Sequence, residues 1–184
     1  VPSDSILTQT VRNLSDVNHP YRQRLDQDFA GRVGVYTKEM LLTGQNFSPD
    51  TVREMLTVCI MSYSSLRIDS RNRDVRKVYQ ENGNLFRFAE FFKDTDALLA
   101  DTPDTALIQV LRHLEPVVVV DESHNAESKL SVEMLNNLNP SFVLDLTATP
   151  RKNSNIISYV DARDLKKEHM VKLPVVVYNR TTRQ

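Results

Sequence analysis

The sequence predicts an α/β chain built on a parallel sheet with flanking helices. Three observations predict it. Val117 to Val120 form an uninterrupted β-branched run that ends in Asp121, Glu122, Ser123 and His124. Such a run suits a central strand covered on both faces. Phe142 to Leu146 is a second apolar run, ending in Thr147, Ala148, Thr149 and Pro150. Between them, Leu130, Met134 and Leu138 recur at helical spacing, which makes the passage a strand–helix–strand crossover unit. Polar residues then leave the carboxyl ends of two neighbouring strands, where open α/β sheets carry their chemistry.

The elements before this unit follow in order. Ser3, Asp4 and Ser5 offer helix caps, and Ile6, Leu7, Val11 and Leu14 share one helical face. Asn18-His19-Pro20 stops or redirects that helix, and Tyr21 to Phe29 reads as a second, charged one. Arg32 to Thr37 reads as a strand, and Leu41 to Asn46 as a loop centred on Gly44. Ser48-Pro49-Asp50 starts a helix, with Pro at its first position and Val52 and Leu56 facing inward. Thr57 to Tyr63 is the next strand, with Ser62 to Ser65 at its carboxyl end.

Arg67 to Lys77 is dense in arginine and reads either as a solvated face or as a contact for a phosphate backbone. Leu85, Phe86, Phe88, Phe91 and Phe92 suit core packing, with a base-stacking platform as the sharper alternative. Thr102-Pro103-Asp104 starts a helix that turns Leu107, Ile108, Leu111 and Leu114 inward. Beyond the crossover unit, Ile156, Ile157 and Val160 lie in a short helix or extended segment. Val171 to Tyr178, interrupted by Pro174, reads as an edge or exit strand.

The totals narrow the class. A chain of 184 residues with 40% hydrophobic and 26% charged residues can bury a core, and its net charge of -1 gives no global field for nucleic acid. Cys59 is the single cysteine and sits in an apolar run, which excludes an internal disulfide and fits a reducing, cytoplasmic compartment. No membrane-length apolar run or signal segment occurs. The chain opens on Val1 and Pro2 rather than methionine, as a processed or excised piece would.

The acidic motif suggests phosphoryl-transfer chemistry. Asp121 is placed to hold a divalent metal, Mg²⁺ above all, and Glu122 to orient a water for in-line attack on phosphorus. The alternative is a plain polar strand end. His19, His113, His124 and His169 are scattered, against a zinc site. Thr147 and Thr149 can bridge the acidic residues to a neighbouring domain. The four glycines, Gly31, Gly34, Gly44 and Gly83, supply no GxxxxGK[ST] phosphate loop.

DESH at Asp121 to His124 and TATP at Thr147 to Pro150, separated by 22 residues, resemble motifs II and III of the superfamily 2 DExH helicases and translocases. Val1-Pro2-Ser3 with the following helix resembles the end of motif Ia. Ile60 to Leu66 (IMSYSSL) resembles the strand and polar turn before the DNA-facing loop. Ala162 to Pro174 resembles the linker passage of restriction-enzyme R subunits, type III especially.

The resemblance implies a RecA-like, P-loop NTPase type fold that is incomplete at the N-terminus. Residues 1–174 would be a first motor domain lacking its phosphate loop, and 175–184 an exit segment toward a second RecA-like domain. It implies ATP and Mg²⁺ as cofactors, with Asp121 binding the metal, Glu122 activating water and His124 coupling nucleotide state to the other domain. Thr147 and Thr149 would link hydrolysis to movement. Ser3, Ser62, Arg67 and Arg71 would touch nucleic acid. Double-stranded DNA, the missing phosphate-loop segment, the second motor domain and a methyltransferase or specificity subunit are the implied partners, with no membrane. The parent would be a restriction motor with endonuclease activity, and the chain alone inactive. A type I restriction subunit, a DNA-repair helicase and a nucleotide-independent α/β interaction module remain the alternatives.

Overall fold

The computed structural model describes residues 3–66, 77–91, 99–121, 129–147 and 155–168. The chain divides into two compact units, Val1–Pro150 and Arg151–Gln184.

In the first unit, α1 (Asp4–Ser15) begins where the Ser3 hydroxyl accepts the Ile6 amide at 3.4 Å. Ile6, Leu7, Val11 and Leu14 are half-buried on the face that meets β1 and β2. The second helix, α2 (Pro20–Asp28), has Pro20 in its first turn and His19 as its cap. Arg22 ties three elements together. Its Nε bonds Asp26 at 2.8 Å, and its two terminal nitrogens donate to the carbonyls of Leu14 and Val33, each at 3.2 Å.

Strands β1 (Val33–Thr37) and β2 (Leu56–Ile60) pair in parallel, with Val33 opposite Leu56 and Thr37 opposite Ile60. A parallel pair needs a long connection, supplied here by α3 (Lys38–Thr43) and α4 (Pro49–Glu54). The expected loop at Leu41 to Asn46 is therefore helical through Thr43. Thr37 caps α3, and Gly44 ends it in the left-handed conformation at φ 65°. A Cβ on Gly44 would stand 2.9 Å from the Asn84 carbonyl oxygen, so glycine is needed there twice over. The Ser48 cap and Pro49 start of α4 are as expected. Leu56, expected to face inward from α4, instead opens β2, because Met55 is already extended at φ -130° and ψ 148°. β2 stops at Ile60, and Tyr63–Leu66 is a tight 3₁₀ turn rather than strand.

The core is built around α6 (Leu107–His113), which starts later than the Thr102-Pro103-Asp104 signal suggests. Leu107, Ile108, Val110 and Leu111 are all buried. Gln109 is also fully buried. Its amide nitrogen donates to the carbonyls of Leu99 and Thr102, and its oxygen accepts the Leu99 amide. Leu85 and Phe88 join this core from the segment Gly83–Leu85 and α5 (Phe86–Phe91). Phe47 sits between Tyr36 and Phe88, with ring centroids 5.7 and 4.7 Å away. Core packing thus accounts for Leu85 and Phe88, whereas Phe86 is exposed.

Strands β3 (Val117–Asp121) and β4 (Phe142–Leu146) form a second parallel pair, connected through α7 (Lys129–Leu138). Met134, Leu135 and Leu138 of α7 are buried. The expectation that β3 is covered on both faces is corrected. Val120 is 2% exposed and Val118 packs on the core, but Val117 and Val119 are 66% and 56% exposed. Phe142, opposite Val117, and Leu146, opposite Asp121, are also exposed on that face. Among the described residues the strands form two separate two-stranded sheets rather than one continuous sheet.

In the second unit, α8 (Ala162–Lys167) is capped by Asp161, which accepts the amides of Arg163 and Asp164 at 2.7 and 2.9 Å. Residues 155–160 are not helical, and Ile156, Ile157 and Val160 are exposed. The strand expected at Val171 to Tyr178 lies outside the described residues.

Candidate functional site

The strand register decides which candidate residues meet. Asp121 closes β3 opposite Leu146, the last residue of β4, so Thr147 follows at the same carboxyl edge. Both residues are half-buried. The Asp121 carboxylate is a hard oxygen donor, which suits Mg²⁺ better than zinc. Among the described residues no group of three His, Cys, Asp or Glu side chains gathers to hold a metal. Glu122, His124, Thr149, Arg67 and Arg71 lie outside the described residues.

Asp4, next to Ser3 in sequence, and Ser62 line one cavity from distant parts of the sequence. A cavity of about 230 Å³ opens at the carboxyl ends of β1 and β2. Ser62, Ser64 and Ser65 line it from one side, and Asp4, which follows the Ser3 cap, lines it from the other. The Ser62 hydroxyl lies 2.9 Å from those of both Ser64 and Ser65, and the Ser65 amide donates to the Ser62 carbonyl at 3.0 Å. The turn therefore holds its hydroxyls as one preset group.

The charges around this cavity are mixed. Lys38 and Glu39 also line it, with Lys38 Nζ 3.5 Å from Glu39 Oε1. Burial pushes the Glu39 carboxyl up, but its own backbone amide, the Thr37 hydroxyl and Lys38 together hold it below the usual range. One ammonium against the carboxylates of Asp4 and Glu39 makes no anion-attracting field. A phosphate here would be held by hydroxyls, with any positive charge brought from elsewhere.

A second, apolar cleft of about 180 Å³ lies between the two strand pairs, with Cys59 and Met61 on the β2 side and Val118 and Val120 on the β3 side. Burial pushes the Cys59 thiol up to about 12, which makes it a packing residue without thiolate chemistry. Tyr63 lines the same cleft, and its hydroxyl donates to the Asp121 main-chain carbonyl at 2.8 Å. The sequence pattern does not single out Tyr63. Its position inside the Ser62 to Ser65 turn was the available signal, but its partner is 58 residues away.

The fold and these sites define a parallel α/β protein that gathers its polar residues at the carboxyl edges of two strand pairs. The chain belongs to the family described as type III restriction enzyme, res subunit, whose family model matches residues 1–152. No curated protein and no solved structure matches it. Among the described residues no helix is long and apolar enough to cross a membrane.

Proposed function

We propose that this chain is the DExH-bearing part of an ATP-driven DNA translocase in a restriction system, with a RecA-like fold. The observation that carries the reading is the family match over residues 1–152, together with the shared edge occupied by Asp121 and Thr147. In this reading Asp121 holds Mg²⁺ and Glu122 orients the attacking water. His124, Thr147 and Thr149 relay the nucleotide state. Ser3, Ser62, Arg67 and Arg71 meet the backbone of double-stranded DNA, the hydroxyls fixing position and the arginines supplying charge. When bound, Mg²⁺ neutralises charge developing on the phosphates of ATP.

The 184 residues contain no GxxxxGK[ST] sequence. In this reading the phosphates are gripped by a segment or domain outside them, and a second RecA-like domain would complete the site. A methyltransferase or specificity subunit would supply target choice, and a nuclease would act in the same assembly. Hydrolysis requires phosphates, metal and water to be held together, so the 184-residue chain alone is expected to show no ATP turnover. Steady-state ATPase assays on this chain and on the restriction subunit that carries it test the reading. Turnover confined to the larger protein, dependent on Mg²⁺ and lost in Asp121→Asn, is expected. Undiminished turnover in Asp121→Asn would remove Asp121 from the metal site. No turnover with or without DNA would favour a nucleotide-independent interaction module.

A further inference from the structure

We propose that Tyr63 is a positioning residue that couples the nucleotide end of β3 to the serine turn at the end of β2. The proposal rests on the reading of Asp121 as the metal-holding residue and of Ser62 as a backbone contact. Three observations carry it.

First, the Tyr63 hydroxyl donates to the main-chain carbonyl of Asp121 at 2.8 Å, so it senses the position of the strand end rather than the charge of the carboxylate. Second, Tyr63 belongs to the same short turn as the serines, and the Ser62 hydroxyl is within 2.9 Å of those of Ser64 and Ser65. A shift of the ring moves that hydroxyl group as a unit. Third, β2 and β3 belong to different sheets, with an apolar cleft between them and Tyr63 in its lining. Among the described residues no ladder of backbone hydrogen bonds fixes one strand against the other, so a small displacement at Asp121 breaks no β-ladder described there. It reaches the serine turn through the tyrosine hydroxyl and the packing around it. This is a contiguous physical link of the kind that can carry coupling between two sites.

The test is made on the restriction subunit that carries this chain. Affinity for a fluorescein-labelled DNA duplex is measured by anisotropy, with and without Mg²⁺ and a non-hydrolysable ATP analogue. The readout is the ratio of the two affinities, which measures coupling directly and needs no turnover. The wild-type ratio is expected to be on the order of tenfold. In Tyr63→Phe it falls about fivefold, the scale of one lost hydrogen bond. Tyr36→Phe serves as the control, because the Tyr36 hydroxyl makes an equally short bond, 2.8 Å to the Asn46 carbonyl, away from both ends of the link. Its ratio should match wild type. Because the ratio is taken within one variant, a uniform loss of folded protein cancels.

A Tyr63→Phe ratio equal to wild type overturns the proposal, as does a weakening of DNA binding that is the same with and without nucleotide. If the wild-type protein binds no DNA, or binds it without regard to nucleotide, the functional reading beneath the proposal fails, and that failure is visible before any variant is made.

Discussion

Gln109 stands at the centre of the α6 core with no exposed surface, and its amide closes three hydrogen bonds to the segment Leu99 to Thr102. Gln109→Met keeps nearly the same length and removes every polar atom, so it isolates those bonds from cavity formation. The lost contacts are the Leu99 amide at 3.0 Å, the Leu99 carbonyl at 3.3 Å and the Thr102 carbonyl at 3.2 Å. Each is worth about 1 kcal/mol net, and more if its partner is left dry. Leu99 and Thr102 are only half-buried, so water recovers part of the loss. The sum is about 3 kcal/mol. With a urea dependence near ~2 kcal/mol/M, the unfolding midpoint should fall by about 1.5 M with its slope unchanged. Gln80→Met, at an exposed position, should move the stability by less than about 0.5 kcal/mol. A Gln109→Met midpoint within about 0.25 M of wild type would refute the claim that this buried amide organises the core.

Three further outcomes follow from the packing and the titrating groups. Gly44→Ala should cost about 2 kcal/mol by thermal unfolding, since alanine is strained at positive φ and its Cβ meets the fixed Asn84 carbonyl. A loss under about 0.5 kcal/mol would show that the α3 end adjusts freely. Cys59, half-buried and with its thiol pushed up to about 12, should resist alkylation by iodoacetamide at pH 8 in the folded chain and react faster in urea; equal rates in both states would contradict the raised thiol pKa. Burial lowers the His113 pKa below its usual 6.5, helped by Arg112 and opposed by Asp104. The unfolded chain therefore binds this proton more readily. The contribution of His113 is fully present above pH 6.5 and is lost as pH falls through the lower folded value. His113→Gln should flatten the fall in urea midpoint over that window, and an unchanged slope would assign it to other groups.

The local signals in the sequence were legible because their physics is local. Ser3 and Ser48 cap helices by bonding amides three residues ahead, and the structure shows both bonds. The spacing of Met134 and Leu138 identified the buried side of α7. The parallel pairing of β3 with β4 follows from two apolar runs joined by a helix. What was misread depends on partners far along the chain. Four consecutive valines do not say which side of a strand will be covered, and here Val117 and Val119 face outward. Gly44 looked like the centre of a loop because its role as a helix end is set by the Asn84 backbone. Arg22, Gln109 and Tyr63 are polar residues whose meaning lies in carbonyls of other elements, at Leu14 and Val33, at Leu99 and Thr102, and at Asp121. The candidate site divides along the same line. Asp121 and Thr147 were expected at one edge and are found there, while the nearness of Asp4 to the serine turn needed the fold.

The central claim is that the DExH motif in this chain drives ATP hydrolysis coupled to DNA. The most direct measurement is the ATPase rate of the restriction subunit carrying this chain, with and without double-stranded DNA, in wild type and in Glu122→Gln. DNA-stimulated turnover is expected in wild type, with a loss of about a hundredfold or more when the carboxylate proposed to orient the water becomes an amide. Stimulated turnover that survives Glu122→Gln would contradict it.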